Sequence, residues 1–133
     1  MYELYESMKV LLVEDDAIVR AGSVQALDLA GFQVEAFDAA EPALARVAPG
    51  FAGVIVSDVR LPGMSGLAVM DAVKAIDAQV PVVLVTGHGD ISMAVGAMRG
   101  GAYDFIPKPY SSEQLVEAVQ RALETRRLIL EVA

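Results

Sequence analysis

Short apolar segments and amphipathic segments alternate along the 133 residues of this chain. Five of the apolar segments have the length of strands. The first, third and fourth of them are continuously apolar, which is typical of parallel strands covered on both faces. The five segments are residues 9–13, 32–37, 53–57, 81–86 and 103–107. Because helical patterns separate them, we predict an α/β fold, a doubly wound five-stranded parallel sheet with helices on both faces.

Turn and capping residues mark the ends of the predicted helices. Gly31 follows the first helix, at the position where a left-handed residue often ends a helix. Residues 38–41 (DAAE) and residues 111–114 (SSEQ) have the spacing of a capping box, so each is expected to start a helix. Asp90 is expected to cap the fourth helix with its side chain.

The final helix is predicted to run from Ser112 to about Glu131, which is longer than the strands it would cover. Its last residues include Leu128, Ile129 and Leu130, and a single domain has no core there to bury them. Exposed apolar residues on a helical extension are typical of a contact surface. We therefore expect this segment to form part of a homodimer contact.

The composition limits the classes of protein that fit. A hydrophobic content of 55% argues for a folded domain, and the absence of cysteine excludes disulfides and thiol nucleophiles. The net charge of −8 disfavours direct contact with nucleic acid. No apolar run approaches the roughly 20 residues that span a bilayer, and the N-terminus lacks an export signal. The sequence therefore predicts a cytoplasmic domain without a membrane segment.

Polar side chains stand directly after four of the predicted strands. Glu14 and Asp15 follow the first strand, Asp58 ends the third, Thr86 ends the fourth and Lys108 follows the fifth. In doubly wound sheets, ligands bind beyond the carboxyl ends of the strands. We therefore expect these side chains to form one pocket, with three carboxylates, a hydroxyl and an ammonium.

The charges of this pocket predict a divalent cation. Three carboxylates and one ammonium leave a formal charge of −2, and the ligands are oxygens, which favours Mg²⁺, with Mn²⁺ as a substitute. Asp15 and Asp58 are expected to bind it directly, Glu14 through a water, and a backbone carbonyl after Asp58 to complete the shell. A metal beside a carboxylate, a lysine and a hydroxyl is suited to phosphoryl transfer.

The segments VEDD, SDVRLPGMSG, VTGHGD and AYDFIPKPY closely resemble the receiver domain of bacterial two-component response regulators, and the match runs from about Lys9 to Leu123. The resemblance implies the flavodoxin-like strand order 2-1-3-4-5. It implies that Asp58 accepts a phosphoryl group from a phosphohistidine on a sensor histidine kinase. The resemblance thus implies that this kinase is a partner of the chain. It also implies that the backbone carbonyl of Arg60 is a further Mg²⁺ ligand.

The same resemblance assigns a switch to the other pocket residues. Thr86 matches the hydroxyl that moves toward the phosphate, and Lys108 matches the lysine that binds it. Phe105 matches the aromatic residue whose rotamer follows Thr86, and the Lys108–Pro109 bond is expected to be cis. The chain would then be a switch and not a turnover enzyme, with Mg²⁺-dependent self-phosphorylation and autodephosphorylation as its only reactions.

Two segments, TGHGDISMAV and GAYDFIPKPY, look most like enhancer-binding transcriptional activators of the nitrogen-regulation and C4-dicarboxylate-transport type. In those proteins an ATPase domain and a DNA-binding domain follow the receiver. This sequence contains the motif of neither domain. We expect a leader or tag remnant at residues 1–8, the receiver at 9–124, and at 125–133 a linker toward a missing output domain. The alternative is a stand-alone receiver that acts in a phosphorelay or by protein docking.

Simpler interpretations and other function classes compete with this one. Asp15 and Asp16 before a helix also fit N-terminal capping, and Asp16 is expected to serve only as that cap. His88 is expected to be a solvated loop histidine. A haloacid-dehalogenase-type phosphatase needs an acid where Arg60 stands, and a flavodoxin-like redox protein needs a hydroxyl- and glycine-rich loop where this chain has EDDA. A degenerate docking receiver would lack a signature residue, and none is lacking.

Overall fold

The computed structural model describes residues 7–87 and 90–132. Five parallel strands form one sheet in the order β2-β1-β3-β4-β5. The strands are β1 (Lys9–Val13), β2 (Gln33–Phe37), β3 (Gly53–Asp58), β4 (Val82–Thr86) and β5 (Asp104–Pro107). The doubly wound fold and its strand order are confirmed, and each strand lies within a residue of its predicted segment.

Helices cover both faces of this sheet. In the described residues they are α1 (Ala17–Leu29), α2 (Ala40–Leu44), α3 (Gly66–Ile76), α4 (Ile91–Arg99) and α5 (Ser112–Val132). Successive strand residues face opposite sides, so two core layers form. One layer packs the sheet against α1 and α5 through residues such as Val10, Val54, Val83, Leu27 and Leu115. The other packs it against α2, α3 and α4 through residues such as Leu11, Ile55, Leu84, Val73 and Ala97.

Three of the predicted helix ends are confirmed. Asp16 caps α1, and its carboxylate accepts hydrogen bonds from the backbone N–H groups of Ile18 and Val19. Gly31 follows α1 in the left-handed region, with a φ of 92°. Residues 111–114 form a reciprocal capping box at the start of α5, in which each end residue donates a backbone N–H to the side chain of the other.

Two capping predictions are wrong. The capping box of Asp38 and Glu41 is absent, because α2 begins at Ala40 and its N-cap position is Ala39, which makes no side-chain cap. Ala40 is fully buried in the second core layer, so packing sets the start of this short helix. Asp90 does occupy the N-cap position of α4, but its side chain makes no hydrogen bond to the helix.

The last helix, α5, extends beyond the core as predicted. Its buried apolar residues extend as far as Leu123, and further along it Arg126 is only 2% exposed. The Arg126 guanidinium donates to the carbonyl of Phe51 and to the Asp77 carboxylate, at the amino-terminal edge of the sheet. Leu128 is exposed, whereas Ile129 and Leu130 are half-buried. None of the described helices combines the length and apolar character needed to cross a bilayer.

Candidate functional site

The polar residues predicted to form one pocket meet at the carboxyl edge of the sheet. Parallel register places Asp58, the last residue of β3, opposite Val85, and Thr86, the last residue of β4, opposite Pro107. Lys108 follows directly. Its ammonium nitrogen lies 2.6 Å from Oδ2 of Asp58 and 2.8 Å from Oε1 of Glu14. The strand order therefore brings together groups that lie far apart in the sequence.

Three carboxylates of this pocket are close enough to share one cation. An oxygen from each of Glu14, Asp15 and Asp58 lies within 4.8 Å of the other two. Glu14 and Asp58 are buried, whereas Asp15 is exposed. Carboxylate oxygens in this arrangement suit a hard divalent ion that keeps part of its water shell. The donor set therefore fits Mg²⁺.

Local hydrogen bonds hold the acidic segment after β1 in place. The Arg20 guanidinium reaches back from α1 to the carbonyl of Glu14, at 2.8 Å. The Asp16 backbone N–H donates to the Glu14 carboxylate, at 3.2 Å, while the Asp16 carboxylate caps the helix. Asp16 therefore satisfies the helix N-terminus, and Asp15 stays available at the pocket.

The Lys108 ammonium offsets part of the negative charge of the pocket. Burial opposes its charge, but its contacts with Asp58 and Glu14 outweigh burial and raise the pKa of Lys108. Burial raises the pKa of Glu14, against the effect of its hydrogen bond with Lys108. The Lys108 backbone N–H donates to the carbonyl of Thr86, at 2.7 Å, and the Lys108–Pro109 peptide bond is cis. The hydrogen bond fixes where the lysine side chain leaves the backbone.

The segment after Asp58 packs closely against the start of α3. The Arg60 backbone N–H donates to Oδ1 of Asp58, at 3.0 Å, which fixes the carboxylate from the side opposite Lys108. The Gly66 backbone N–H donates to the carbonyl of Val59, at 2.8 Å. A Cβ atom at Gly66 would overlap the carbonyl oxygen of Asp58 and lie 2.8 Å from Cα of Val59. Only glycine permits this approach.

The Thr86 side chain is buried beside this pocket with its hydroxyl unpaired. Within the described part of the chain, Oγ1 of Thr86 has no hydrogen-bond partner although the residue is fully buried. Buried hydroxyls normally have a partner, so the Thr86 O–H group is free to donate a hydrogen bond. On the neighbouring strand, Phe105 pairs in register with Leu84 and packs half-buried against the second core layer.

One contact of the site is not indicated by the sequence pattern. The Arg60 guanidinium forms a bidentate ion pair with Asp90, with a shortest distance of 2.7 Å. The two residues are 30 positions apart. The position of Asp90 at the start of a helix predicts only a capping role. The pair lowers the pKa of the Asp90 carboxylate and raises that of the Arg60 guanidinium. His88, nearby in sequence, lies outside the described residues.

The sequence of the chain matches the response regulator receiver domain over residues 10–120. It is 50% identical over 122 residues to the C4-dicarboxylate transport transcriptional regulatory protein DctD of Rhizobium meliloti, which covers 92% of this chain and 26% of that protein. It is 39% identical over 115 residues to the transcriptional regulatory protein FixJ of Bradyrhizobium diazoefficiens, which covers 86% of this chain and 56% of that protein. The chain thus spans about a quarter of one relative and just over half of the other.

The fold has solved counterparts as well. The crystal structure of a response regulator receiver domain protein from Clostridium thermocellum superposes with a TM-score of 0.85 at 25% identity, covering 92% of this chain and 98% of that one. The crystal structure of full-length FixJ from B. japonicum superposes with a TM-score of 0.81 at 35% identity, covering 92% of this chain and 61% of that one.

Proposed function

This chain belongs to the response regulator receiver domain family, and on that basis we propose that it is a phosphorylation switch. Asp58 accepts a phosphoryl group from a phosphohistidine of a sensor histidine kinase. Phosphorylation then changes the surface of the domain and so controls an output. Two relatives are named transcriptional regulatory proteins, which supports an output in transcription. A cytoplasmic location is part of the same proposal.

The observation that carries this proposal is that the Asp58 carboxylate is held in place beside the Thr86 hydroxyl, which is free to bind. Asp58 is held by the Arg60 backbone N–H on one oxygen and by Lys108 on the other. Thr86, at the end of the adjacent strand, has a buried hydroxyl that finds no partner in residues 7–87 and 90–132. A phosphoryl group on Asp58 would supply acceptor oxygens to both the ammonium and the hydroxyl.

In the transfer step, a carboxylate oxygen of Asp58 forms a bond to phosphorus while the P–N bond of the phosphohistidine breaks. The bonding electron pair returns to the imidazole nitrogen. Lys108 follows the negative charge from the carboxylate onto the phosphoryl oxygens, and Thr86 donates to one of them. The same groups hold the acyl phosphate afterwards. Its formation and loss are the only reactions proposed for this domain.

The acidic residues of the pocket would hold Mg²⁺. We propose that Asp15 and Asp58 bind it directly, that Glu14 binds it through a water, and that the backbone carbonyl of Arg60 completes the protein ligands. Bound there, the ion supplies positive charge next to the phosphoryl oxygens. Mn²⁺, which accepts the same oxygen ligands, is expected to substitute.

The positions of Thr86 and Phe105 support a switch in which the two side chains move together. When the Thr86 hydroxyl turns toward the phosphoryl group, it leaves space between β4 and the helix layer. Phe105 is half-buried on β5 and pairs in register with Leu84, two residues before Thr86, so it can enter that space. The movement changes the surface formed by α4, β5 and α5, which makes a local charge the cause of a change in packing.

A groove beside the pocket supports a protein partner. It has a volume of about 630 Å³ and lies between α1 and the segment from Lys108 to Leu115, with Ile18 and Tyr110 in its lining. Ile18 is 85% exposed. An apolar groove that opens next to Lys108 suits the helix of a kinase that carries a phosphohistidine. We also propose a homodimer and, because of the charge of −8, no direct contact with nucleic acid.

Phosphorylation by acetyl phosphate tests the site. We expect the mass of the intact protein to increase by one phosphoryl group when Mg²⁺ is present and not when EDTA removes it, because the bare pocket repels the donor. Asp58→Asn should remove the modification. Asp28→Asn, an exposed acid on α1, should be modified like the wild type. Equal modification in EDTA would contradict the role of the metal, and modification of Asp58→Asn would contradict the assignment of the nucleophile.

A further inference from the structure

The ion pair between Arg60 and Asp90 joins the segment that carries the phosphoacceptor to the first turn of α4. Nε of Arg60 lies 3.1 Å and 3.0 Å from the two oxygens of Asp90, and a terminal nitrogen lies 2.7 Å from Oδ1. The Asp90 side chain is fully buried, whereas the Arg60 side chain is 73% exposed. The arginine can therefore swing away from the aspartate, but the aspartate cannot follow it.

Asp90 occupies a capping position without capping. Its φ of −98° and ψ of 14° are not the extended conformation of an N-cap, and its carboxylate makes no bond to the helix. Asp16 provides the comparison within the same fold. It has a φ of −75° and a ψ of 115°, and its carboxylate accepts two backbone N–H groups of α1. The carboxylate of Asp90 is thus diverted to Arg60 and does not cap the first turn of α4.

Arg60 is also tied to the phosphoacceptor, because its backbone N–H donates to Oδ1 of Asp58. A phosphoryl group on Asp58 would add about −1.5 to −2 charge two positions along the chain from Arg60. Guanidinium groups bind phosphate oxygens as readily as carboxylates, and in the same bidentate manner. One guanidinium would then face two competing anions, of which only one appears on phosphorylation.

We propose that the Arg60–Asp90 pair is a latch that holds α4 in its unphosphorylated arrangement. Phosphorylation of Asp58 draws Arg60 onto the phosphoryl group, and the released Asp90 carboxylate turns to cap α4. The first turn of α4 then changes its backbone conformation. This route runs in parallel to the movement of Thr86 and Phe105. The proposal rests on phosphorylation of Asp58, and its second test separates a failure of the latch from a failure of the proposed function.

The first test is NMR of unphosphorylated variants. Arg60→Gln removes the guanidinium and keeps the backbone, including its carbonyl, while Asp90→Asn removes the charge and can still cap a helix. Each should move the amide resonances of residues 91–94 more than half of the way toward the positions that beryllofluoride, a mimic of the phosphoryl group, produces in the wild type. Arg99→Gln removes an exposed arginine from the other end of α4 and should leave these resonances unchanged.

The double variant checks that both residues act as one unit. Arg60→Gln combined with Asp90→Asn should shift the resonances no further than either single variant, because the pair can be broken only once. Additive shifts would overturn the latch. The latch would also be overturned if the amide resonances of residues 91–94 in Arg60→Gln stayed at the positions of the unphosphorylated wild type. Misfolding would not explain that result, because the Arg60 side chain is exposed.

The second test follows the guanidinium in the wild type. The Nε–H resonance of Arg60, assigned by its loss in Arg60→Gln, should shift when beryllofluoride and Mg²⁺ are added. If mass spectrometry shows that Asp58 is phosphorylated and this resonance does not move, the latch is wrong and the proposed function stands. If Asp58 is not phosphorylated at all, the proposed function fails instead.

Discussion

At the scale of single residues, the pocket combines groups that are satisfied with one that is not. Lys108 is paired with both Asp58 and Glu14. These ion pairs offset the free-energy cost of burying the two carboxylates. The Thr86 hydroxyl is buried without a partner among the described residues. A buried polar group left unpaired destabilises a protein by about 1–3 kcal/mol. The buried Thr86 hydroxyl therefore lowers the free energy of unfolding.

Replacement of Thr86 by valine should separate stability from function. Valine has the shape of threonine without the hydroxyl, so we expect Thr86→Val to raise the free energy of unfolding by about 1 kcal/mol. The same variant should be phosphorylated but should show reduced beryllofluoride-induced NMR shifts at Phe105. Urea denaturation measures the first effect. Thr125→Val is the control, since its hydroxyl lies 3.1 Å from the Tyr103 hydroxyl and its loss should destabilise. Equal destabilisation of both variants would refute the argument.

At the scale of elements, close packing of backbone segments decides which helix positions can change. Gly66 starts α3 directly beneath the carbonyl of Asp58, and its missing side chain lets the two segments touch. Gly22 lies inside α1, and a Cβ atom there would meet nothing within 4 Å. The two glycines look alike in the sequence, but only the first is required by its surroundings.

Alanine at these two glycines should have opposite effects. Gly66→Ala must displace the backbone of Asp58 or Val59, so we expect a loss of about 1–3 kcal/mol in the free energy of unfolding and slower phosphorylation. Gly22→Ala should gain about 0.5–1 kcal/mol, because alanine favours the helix. Thermal or urea unfolding of both variants gives the comparison. A neutral Gly66→Ala would show that the two segments separate more easily than the structure indicates.

The contact of α5 with the amino-terminal edge of the sheet should appear in the dependence of stability on pH. Hydrogen bonds from the backbone of Gly50 and of Gln79 and from Arg126 lower the pKa of Asp77 below its ordinary value of 3.8. Because the folded-state pKa is the lower one, the stabilisation is complete above pH 3.8 and is lost as the pH falls through the folded-state value.

We therefore expect the free energy of unfolding to decline below pH 3.8 less steeply in Asp77→Asn than in the wild type. Urea denaturation at several pH values on both sides of this value measures the slope. Asp71→Asn, an exposed acid on α3, should keep the wild-type slope. The same slope in all three proteins would mean that the contacts of Asp77 contribute nothing to stability.

At the scale of the whole molecule, the end of α5 presents apolar residues outside the core. Leu128 is 48% and Val132 is 88% exposed, whereas Arg126 is held against the domain. A chain shortened to Arg127 therefore keeps the contacts of Arg126, and it loses the apolar end of the helix together with Glu131, an ion-pair partner of Arg127. This boundary is better suited to a test of the homodimer than a boundary within the core.

Sedimentation should distinguish a dimer from a monomer. We expect the full chain to associate, and more strongly with beryllofluoride, whereas the chain ending at Arg127 and the variant Leu128→Ser should sediment as monomers. Leu29→Ser removes a leucine that is 82% exposed on α1 and should associate like the full chain. Monomers throughout, with and without beryllofluoride, would contradict a homodimer contact at this helix.

The sequence by itself determined the sheet, the pocket and the residues in it. Strands that are apolar on both faces can be recognised one by one, and parallel strands must present their carboxyl ends at the same edge. Glu14, Asp58 and Lys108 could therefore be placed together before any distance was known. The caps formed by Asp16 and by residues 111–114 were predictable for a similar reason, since each is completed within a few residues.

Only the tertiary structure decided the contacts between segments that are far apart in the sequence. Asp90 has the pattern of a cap, yet it pairs with Arg60 because the order of β3 and β4 brings a guanidinium to it. The start of α2 follows from the burial of Ala40, and Arg126 is buried because α5 passes Phe51 and Asp77. A local sequence pattern indicates what a residue can bind, but the packing of the whole chain decides which partner it contacts.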